Sequence, residues 1–299
     1  MTPILVAGLI NIETTLKVDG FPLDYMPVRY PFFGIQSSVS GVGYNIVKAL
    51  TTLGNSVHFL SLVGADDAGT LVRAGLAALN VDDSAVYSHL KQTPQSVILY
   101  DGSGRRIINT DLKDIQEQTY PVESFEQALS KSQLAVLSNV NFTRPLLKRV
   151  GNVPIATDVH VIRHVDDDYN RDYMAAATIL SQSHEGLPVS PEDWVRLLWG
   201  RYGTPIVLIG LGGEGALLAV KDDHFIERIP AVTTRPVVNT IGAGDALFSA
   251  FIHTYAATRD PYLAIRKAVI FASYKIGVTG AADGFLTADE LDMWAARLT

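Results

Sequence analysis

The segment Asn239–Phe251, NTIGAGDALFSAF, joins a polar stretch to an apolar one through Gly242-Ala243-Gly244-Asp245. The preceding RPVVNT reads as extended and the following ALFSAFIHTYAAT as a helix, so the glycines fall at a helix N-terminus. Unpaired N–H groups and the positive end of the helix dipole make such an end an anion site. Residues without side chains let a phosphate reach the backbone. Asp245 then stands beside the anion, where like charges repel and binding alone gives it no purpose. It gains one if it accepts the proton of a hydroxyl that attacks phosphorus. A glycine turn with Asp245 as an ordinary first-turn acid satisfies the same spacing.

Other constellations carry weaker signals. SGVGYN, Ser40 to Asn45, also leads from a loop into a helix. Gly41 and Gly43 permit close approach, and Asn45 offers donors and an acceptor to a polyhydroxylated ligand. A glycine turn with Asn45 as a cap remains open. In GLINIE, Asn11 and Glu13 follow the first apolar run and share a side if extended. They would stand at the carboxyl end of a strand, where sheet ligands sit, unless the segment is a solvated loop. GLGGEG places Gly210, Gly212 and Gly215 in a formal GxGxxG. The sequel ALLAV then KDDHF reads as a strand and a turn, so the context of a dinucleotide fingerprint fails. His160 and His164 in HVIRH would face together on a helix, but no Cys and no HExxH supports zinc. Glu185 in QSHE could hold the water shell of magnesium, since hard cations take oxygen ligands. No GxxxxGK[ST] is present.

The elements that must position these residues alternate. ILVAGLI reads as a buried strand, GYNIVKALTTLG as a helix ending at Gly54, VHFLSLVG as a strand and DDAGTLVRAGLAALN as a helix. Strands LAVLSNV, PIATD and TILSQ follow. SPEDWVRLLWGRYG is a helix with Ser190 as cap and Pro191 at its first position. After strand PIVLIGLG come helices Asp245–Thr258 and Pro261–Ile276, and a last helix opened by the capping-box pair Thr287 and Glu290. This alternation predicts an α/β fold, a mainly parallel sheet with helices on both faces. TTLKVDGF with PFFGIQSSVS, and QSVILYDGSGRRIINTD, break the pattern and predict a small separate sheet.

The composition sets limits. A chain of 299 residues, 47% hydrophobic, can bury a sizeable core. With 24 basic and 31 acidic residues, net charge −7 and no Lys/Arg block, nucleic-acid and anionic-membrane partners are not expected. The absence of cysteine excludes thiolate chemistry and fits a reducing compartment. The N-terminus has no basic region before its short apolar run, so no signal peptide is read and a cytoplasmic location is expected.

Taken in order, GLINIE, SGVGYN, QSHE, NTIGAGDALFSAF and VTGAADG resemble the ribokinase-like (PfkB) family of carbohydrate and nucleoside kinases over essentially the whole chain. The resemblance implies a ribokinase-like, doubly wound sheet in one domain, 1–299, with a β-sheet lid from strands in about 13–39 and 94–112. It implies transfer of the γ-phosphate of ATP to a hydroxyl of a sugar or sugar-like alcohol, usually with magnesium. By position, Asp245 becomes the general base and the amides of Gly242, Ala243 and Gly244 the anion hole. Asn11, Glu13, Gly41, Gly43 and Asn45 become sugar contacts. Glu185 becomes the acid linked to magnesium, through water. Gly210, Gly212, Gly215, Ser273 and Val278 become the nucleotide pocket.

The sequence departs from the family pattern in places. Glu13 replaces the usual Asp, Ser40 begins the usual double glycine, and Gln182 replaces the Asn of NxxE. Asn239 replaces a leading Asp that in relatives helps hold a monovalent cation. These changes leave open the acceptor, the metal shell and potassium activation. Two alternatives stand beside a sugar kinase. One is a nucleoside kinase, with Tyr30, Phe32 and Phe33 stacking on a base. The other is a sugar-binding regulator without catalysis. Exposed lid strands suggest a homodimer.

Overall fold

The computed structural model describes residues 3–298. Among them lie thirteen strands: β1 Ile4–Ala7, β2 Asn11–Lys17, β3 Ile35–Ser40, β4 Val57–Gly64, β5 Val86–Leu90, β6 Gln95–Tyr100, β7 Arg106–Asp111, β8 Leu134–Leu137, β9 Ile155–Asp158, β10 Ile179–Ser183, β11 Ile206–Gly210, β12 Gly215–Val220 and β13 Phe225–Pro230. The eight α-helices among the same residues are α1 Val42–Thr52, α2 Asp67–Ala78, α3 Val122–Leu129, α4 Arg171–Ala176, α5 Pro191–Arg201, α6 Ala243–Thr258, α7 Pro261–Lys275 and α8 Ala288–Leu298.

Helix ends follow local chemistry. Ser190 Oγ accepts from Asp193 N at 3.1 Å, with Pro191 in the first turn of α5. At α8, Thr287 N donates to Glu290 Oε2 at 2.8 Å and Glu290 N to Thr287 Oγ at 3.4 Å, a reciprocal capping box. Asp66 caps α2 by accepting from Gly69 N at 2.9 Å.

Nine strands form one sheet in the order β13-β12-β11-β10-β9-β8-β1-β4-β5. From β11 to β5 all neighbours are parallel, and β12 and β13 run antiparallel. The order reverses at β1, with β4 and β5 to one side and β8 to β11 to the other. Crevices open at the carboxyl ends of strands at such a point. Ile4 and Val6 of β1 face a core built with α1, α6 and α7, whereas Leu5 and Ala7 face Phe125 of α3 and Phe142. Farther along that second face, Trp194 and Leu198 of α5 pack on β10 to β12. Burial on both faces explains why these strands read as continuous apolar runs.

A second sheet has the order β3-β2-β6-β7, with β2 and β6 parallel and the other pairs antiparallel. Ile98 of β6 packs on Ile241 and Ala281, and Arg106 of β7 donates to Thr240 Oγ at 3.1 Å. The small sheet therefore leans on the loop that precedes α6. Its β6–β7 turn is organised by Asp101, which accepts from Ser103 N at 2.9 Å and Arg105 N at 3.1 Å.

Some local expectations change. The strand expected over ILVAGLI ends early, at Ala7, because the chain leaves the large sheet there and enters the small one at Asn11. His160 and His164 lie in the loop between β9 and α4, with His160 at φ 59°, so they share no helical face. Strand β5, helices α3 and α4 and the 3-10 segment Asn141–Arg149 are short elements with no counterpart in the sequence reading, although α3 buries Phe125 and Leu129 at helical spacing. Among the described residues no helix is long and apolar enough to cross a membrane.

Candidate active site

Gly242 caps α6 in the left-handed conformation, φ 75° and ψ 9°, and no side chain satisfies the helix end. Ala243 N folds back to Thr240 O at 3.2 Å, so that amide is already engaged within the turn. A Cβ on Gly242 would collide with the carbonyl oxygen of Ala281, whereas one on Gly244 would meet open space. Such an end can receive an anion. Asp245 follows in the first turn, half-buried, its Oδ2 accepting from Asn45 Nδ2 at 2.7 Å. Burial pushes its pKa up to about 6, assisted by the charge of Asp158 and opposed by the Asn45 bond and the charges of His160 and Lys275. A carboxylate so tuned can take a proton near neutral pH.

Asn45 leads onward to the acids of β2. Ser40 Oγ stands 3.1 Å from Glu13 Oε2 and 3.3 Å from Asn45 Oδ1. Its one hydrogen cannot serve both fully. Burial raises the pKa of Glu13, the Ser40 bond lowers it, Asp245 raises it and Lys275 lowers it. Ser40, met in the sequence as a departure, is thus the link between Glu13 and Asn45. Asn11, two positions before Glu13 on the same face of β2, donates to Ser96 Oγ at 2.6 Å. Among the described residues its buried Oδ1 has no hydrogen-bond partner, a condition that costs about 1–3 kcal/mol.

Gly41 and Gly43 are glycine for a further reason. A Cβ at either would come within 2.8 Å of Leu9 O, so the bare backbone lets α1 pack on the link between β1 and β2. Gly41 also has φ 99°, which favours glycine.

Sequence comparison decides the family: the profile of the pfkB family carbohydrate kinases matches residues 1–288. The chain belongs to that family. An ATP-dependent ribose-1-phosphate kinase of Halopiger xanaduensis is 25% identical over 303 residues, covering 100% of this chain and 99% of the relative. An acarbose 7(IV)-phosphotransferase of Actinoplanes sp. is 25% identical over 294 residues, covering 95% of each. In fold, the chain superposes on a microbiome-derived acarbose kinase with TM-score 0.89 at 23% identity, over 99% of each chain. It matches a Giardia lamblia ribokinase with TM-score 0.85 at 17% identity, over 100% of this chain and 99% of that one.

In this pfkB carbohydrate kinase, Gly210 ends β11, Gly212 lies in a 3-10 turn and Gly215 opens antiparallel β12. A hairpin, not a strand and helix, therefore follows the GxGxxG residues. His184 Nδ1 lies 2.9 Å from Gly210 O. Ser273 Oγ donates to Val232 O at 2.7 Å, tying α7 to the segment after β13, and Val278 lies in the turn after α7. Glu185 is exposed just beyond β10, and Gln182 within β10 is buried, both its amide atoms without a partner among the described residues. An unpartnered amide oxygen at Gln182 and the Glu185 carboxylate, three positions apart in the chain, are both of the oxygen type that magnesium prefers. Among the described residues no group of three or more His, Asp or Glu side chains is placed to hold a metal by itself. Asn239 donates to Thr279 O at 2.6 Å and accepts from Ile241 N at 3.0 Å, so both its polar atoms are engaged. Tyr30, Phe32 and Phe33 are exposed in the long β2–β3 loop.

Three further groups bear on Asp245 that no motif of the sequence assigned to this site. Asp158, buried at the end of β9, accepts from His160 N at 2.8 Å, and both bear electrostatically on Asp245. Lys275, in the last turn of α7, is fully buried. The available signal is positional: Asp158 and His160 follow a strand end, where sheet ligands sit. Lys275 gives none, because a lysine in a final helical turn reads as an ordinary partner of the helix dipole.

Proposed function

We propose that this kinase moves the γ-phosphoryl group of ATP to a hydroxyl of a sugar or sugar-like alcohol. The observation that carries the reading is Asp245, seated in the first turn of an uncapped helix and wired through Asn45 and Ser40 to Glu13. Asn11, Glu13 and Asn45 hold the acceptor, with contacts from the Gly41 and Gly43 backbone. Asp245 takes the proton of the attacking hydroxyl. The Gly242–Gly244 turn receives the charge that develops on the phosphoryl oxygens through its Gly242 and Gly244 amides, the Ala243 amide being engaged by Thr240 O. Gly210, Gly212, Gly215, Ser273 and Val278 border the nucleotide. Gln182 and Glu185 would hold magnesium, which when bound with ATP neutralises phosphate charge. The chain acts as one domain, with the small sheet closing over the acceptor and its β3 and β7 edges pairing two copies. In-line transfer needs positioning and charge stabilisation more than covalent chemistry, which matches this set.

The test is ATP consumption by purified protein with magnesium against pentoses, hexoses, deoxy-keto acids, inositols and nucleosides. Turnover on one sugar class is expected. Turnover confined to nucleosides would move the acceptor to that class, and none on any alcohol would favour a binding protein. With the acceptor in hand, Asn11→Ala is expected to raise its KM about 10-fold, the worth of one hydrogen bond in a buried site, without changing the KM of ATP. Equal changes in both constants would place Asn11 outside the acceptor pocket.

A further inference from the structure

Lys275 is one of the largest fully buried side chains, with 0% exposure. Among the described residues no carboxylate is in ion-pair contact with its ammonium. Its Nζ instead donates to the backbone oxygen of Ile241. Burying an ammonium against a neutral carbonyl is costly, so the position calls for a reason beyond packing.

That carbonyl belongs to the peptide group that also carries the Gly242 N–H. In a trans peptide the C=O and the N–H point in opposite directions. With the carbonyl turned inward to Lys275, the Gly242 N–H turns outward, toward the mouth of α6. An ammonium on the carbonyl draws electron density through the amide and makes that N–H a stronger donor. The same charge reaches the two acids of the site, since Lys275 interacts electrostatically with Asp245 of α6 and Glu13 of β2.

From this arrangement we infer that Lys275 is a positioning residue of the transfer reaction: its buried ammonium fixes and polarises the Ile241–Gly242 peptide that faces the transferring phosphoryl group. The inference rests on the reading of the α6 N-terminus as the phosphoryl site. The charged groups facing Lys275 are Asp245, Glu13, Asp283 in the turn after α7, and Arg235 before α6. Asp283 is itself paired with Lys48 of α1 at 3.0 Å. Burial lowers the Lys275 pKa to about 8, opposed by the three carboxylates and assisted by Arg235. The ammonium is therefore present at neutral pH and lost as pH rises through about 8.

The first readout needs no turnover. In amide proton–nitrogen NMR spectra of the whole chain, the wild-type Gly242 resonance is expected to shift with pH about a midpoint near 8, and Lys275→Met to abolish that shift. A wild-type Gly242 resonance that stays flat overturns the inference, whether or not the variant folds. The second readout uses the acceptor found by the substrate panel. Lys275→Met is expected to lower kcat about 10²-fold, the scale of one weakened oxyanion donor, with both KM values near wild type. It should also lose the alkaline fall in activity. Wild-type kcat, a surviving alkaline fall, or a loss confined to KM overturns the inference. Absence of any ATP-dependent turnover in the wild type would instead sink the kinase reading and with it the transfer role of Lys275, while the Gly242 titration would still decide whether Lys275 polarises the Ile241–Gly242 peptide.

Discussion

Asp245→Asn is expected to lower kcat about 10³-fold, the usual scale for removing a general base, while leaving ATP binding and the fold intact. The substitution keeps size and shape. Asn45 Nδ2 still finds an oxygen to donate to at position 245, so the contact that seats the side chain survives. What disappears is the ability to accept a proton. The wild-type pH profile of kcat/KM should rise through about 6, where burial holds the Asp245 pKa, and then reach a plateau. A stability effect accompanies this. The folded pKa lies above the ordinary 3.8, so ionised Asp245 opposes folding at any pH above about 6, and that penalty fades as pH falls toward 4. The neutral variant should therefore melt higher than wild type at pH 7 and equal to it near pH 4. More than a tenth of wild-type kcat in the variant, or an acid limb centred near pH 4, would remove Asp245 from the role of base.

Gly242→Ala should be nearly as damaging by a different route. A left-handed backbone costs a residue with a Cβ about 1–2 kcal/mol, and here that Cβ also runs into the carbonyl oxygen of Ala281. Relief requires the turn before α6 to move, which carries the Gly242 amide away from its aim. Loss of one aimed donor lowers kcat about 10²- to 10³-fold. A fall in Tm of several degrees should accompany the loss in activity. Gly244→Ala is the control, because nothing lies near its Cβ and its backbone has no positive φ. That variant should fold as wild type, and any loss in its turnover reports how closely phosphate approaches the helix end. If Gly242→Ala retains both stability and turnover, the turn is not the anion site.

The sequence by itself determined the features governed by near neighbours along the chain. Apolar runs between helix-length segments were enough for a mainly parallel sheet with helices on both faces, since burial on both faces shapes each strand alone. Caps at Ser190 and Thr287 were legible because one local hydrogen bond makes them. The Gly-Ala-Gly-Asp turn was legible because a helix end exposes its amides whatever surrounds it. Asn11 and Glu13 share a face by the two-residue repeat of a strand.

The tertiary structure decided what depends on segments far apart in the chain. It turned Gly41 and Gly43 into packing surfaces for the β1–β2 link, which no spacing could reveal. It placed His160 in a loop, within electrostatic reach of Asp245, rather than on a helix with His164. It made Ser40 the bridge between Glu13 and Asn45. Above all it buried Lys275 beneath the α6 turn, a placement created by the packing of α7 against α6. Local hydrogen bonding and side-chain periodicity are encoded within a few residues. The electrostatics of a buried site depend on which distant groups share its low-dielectric surroundings, and only the folded chain brings them together.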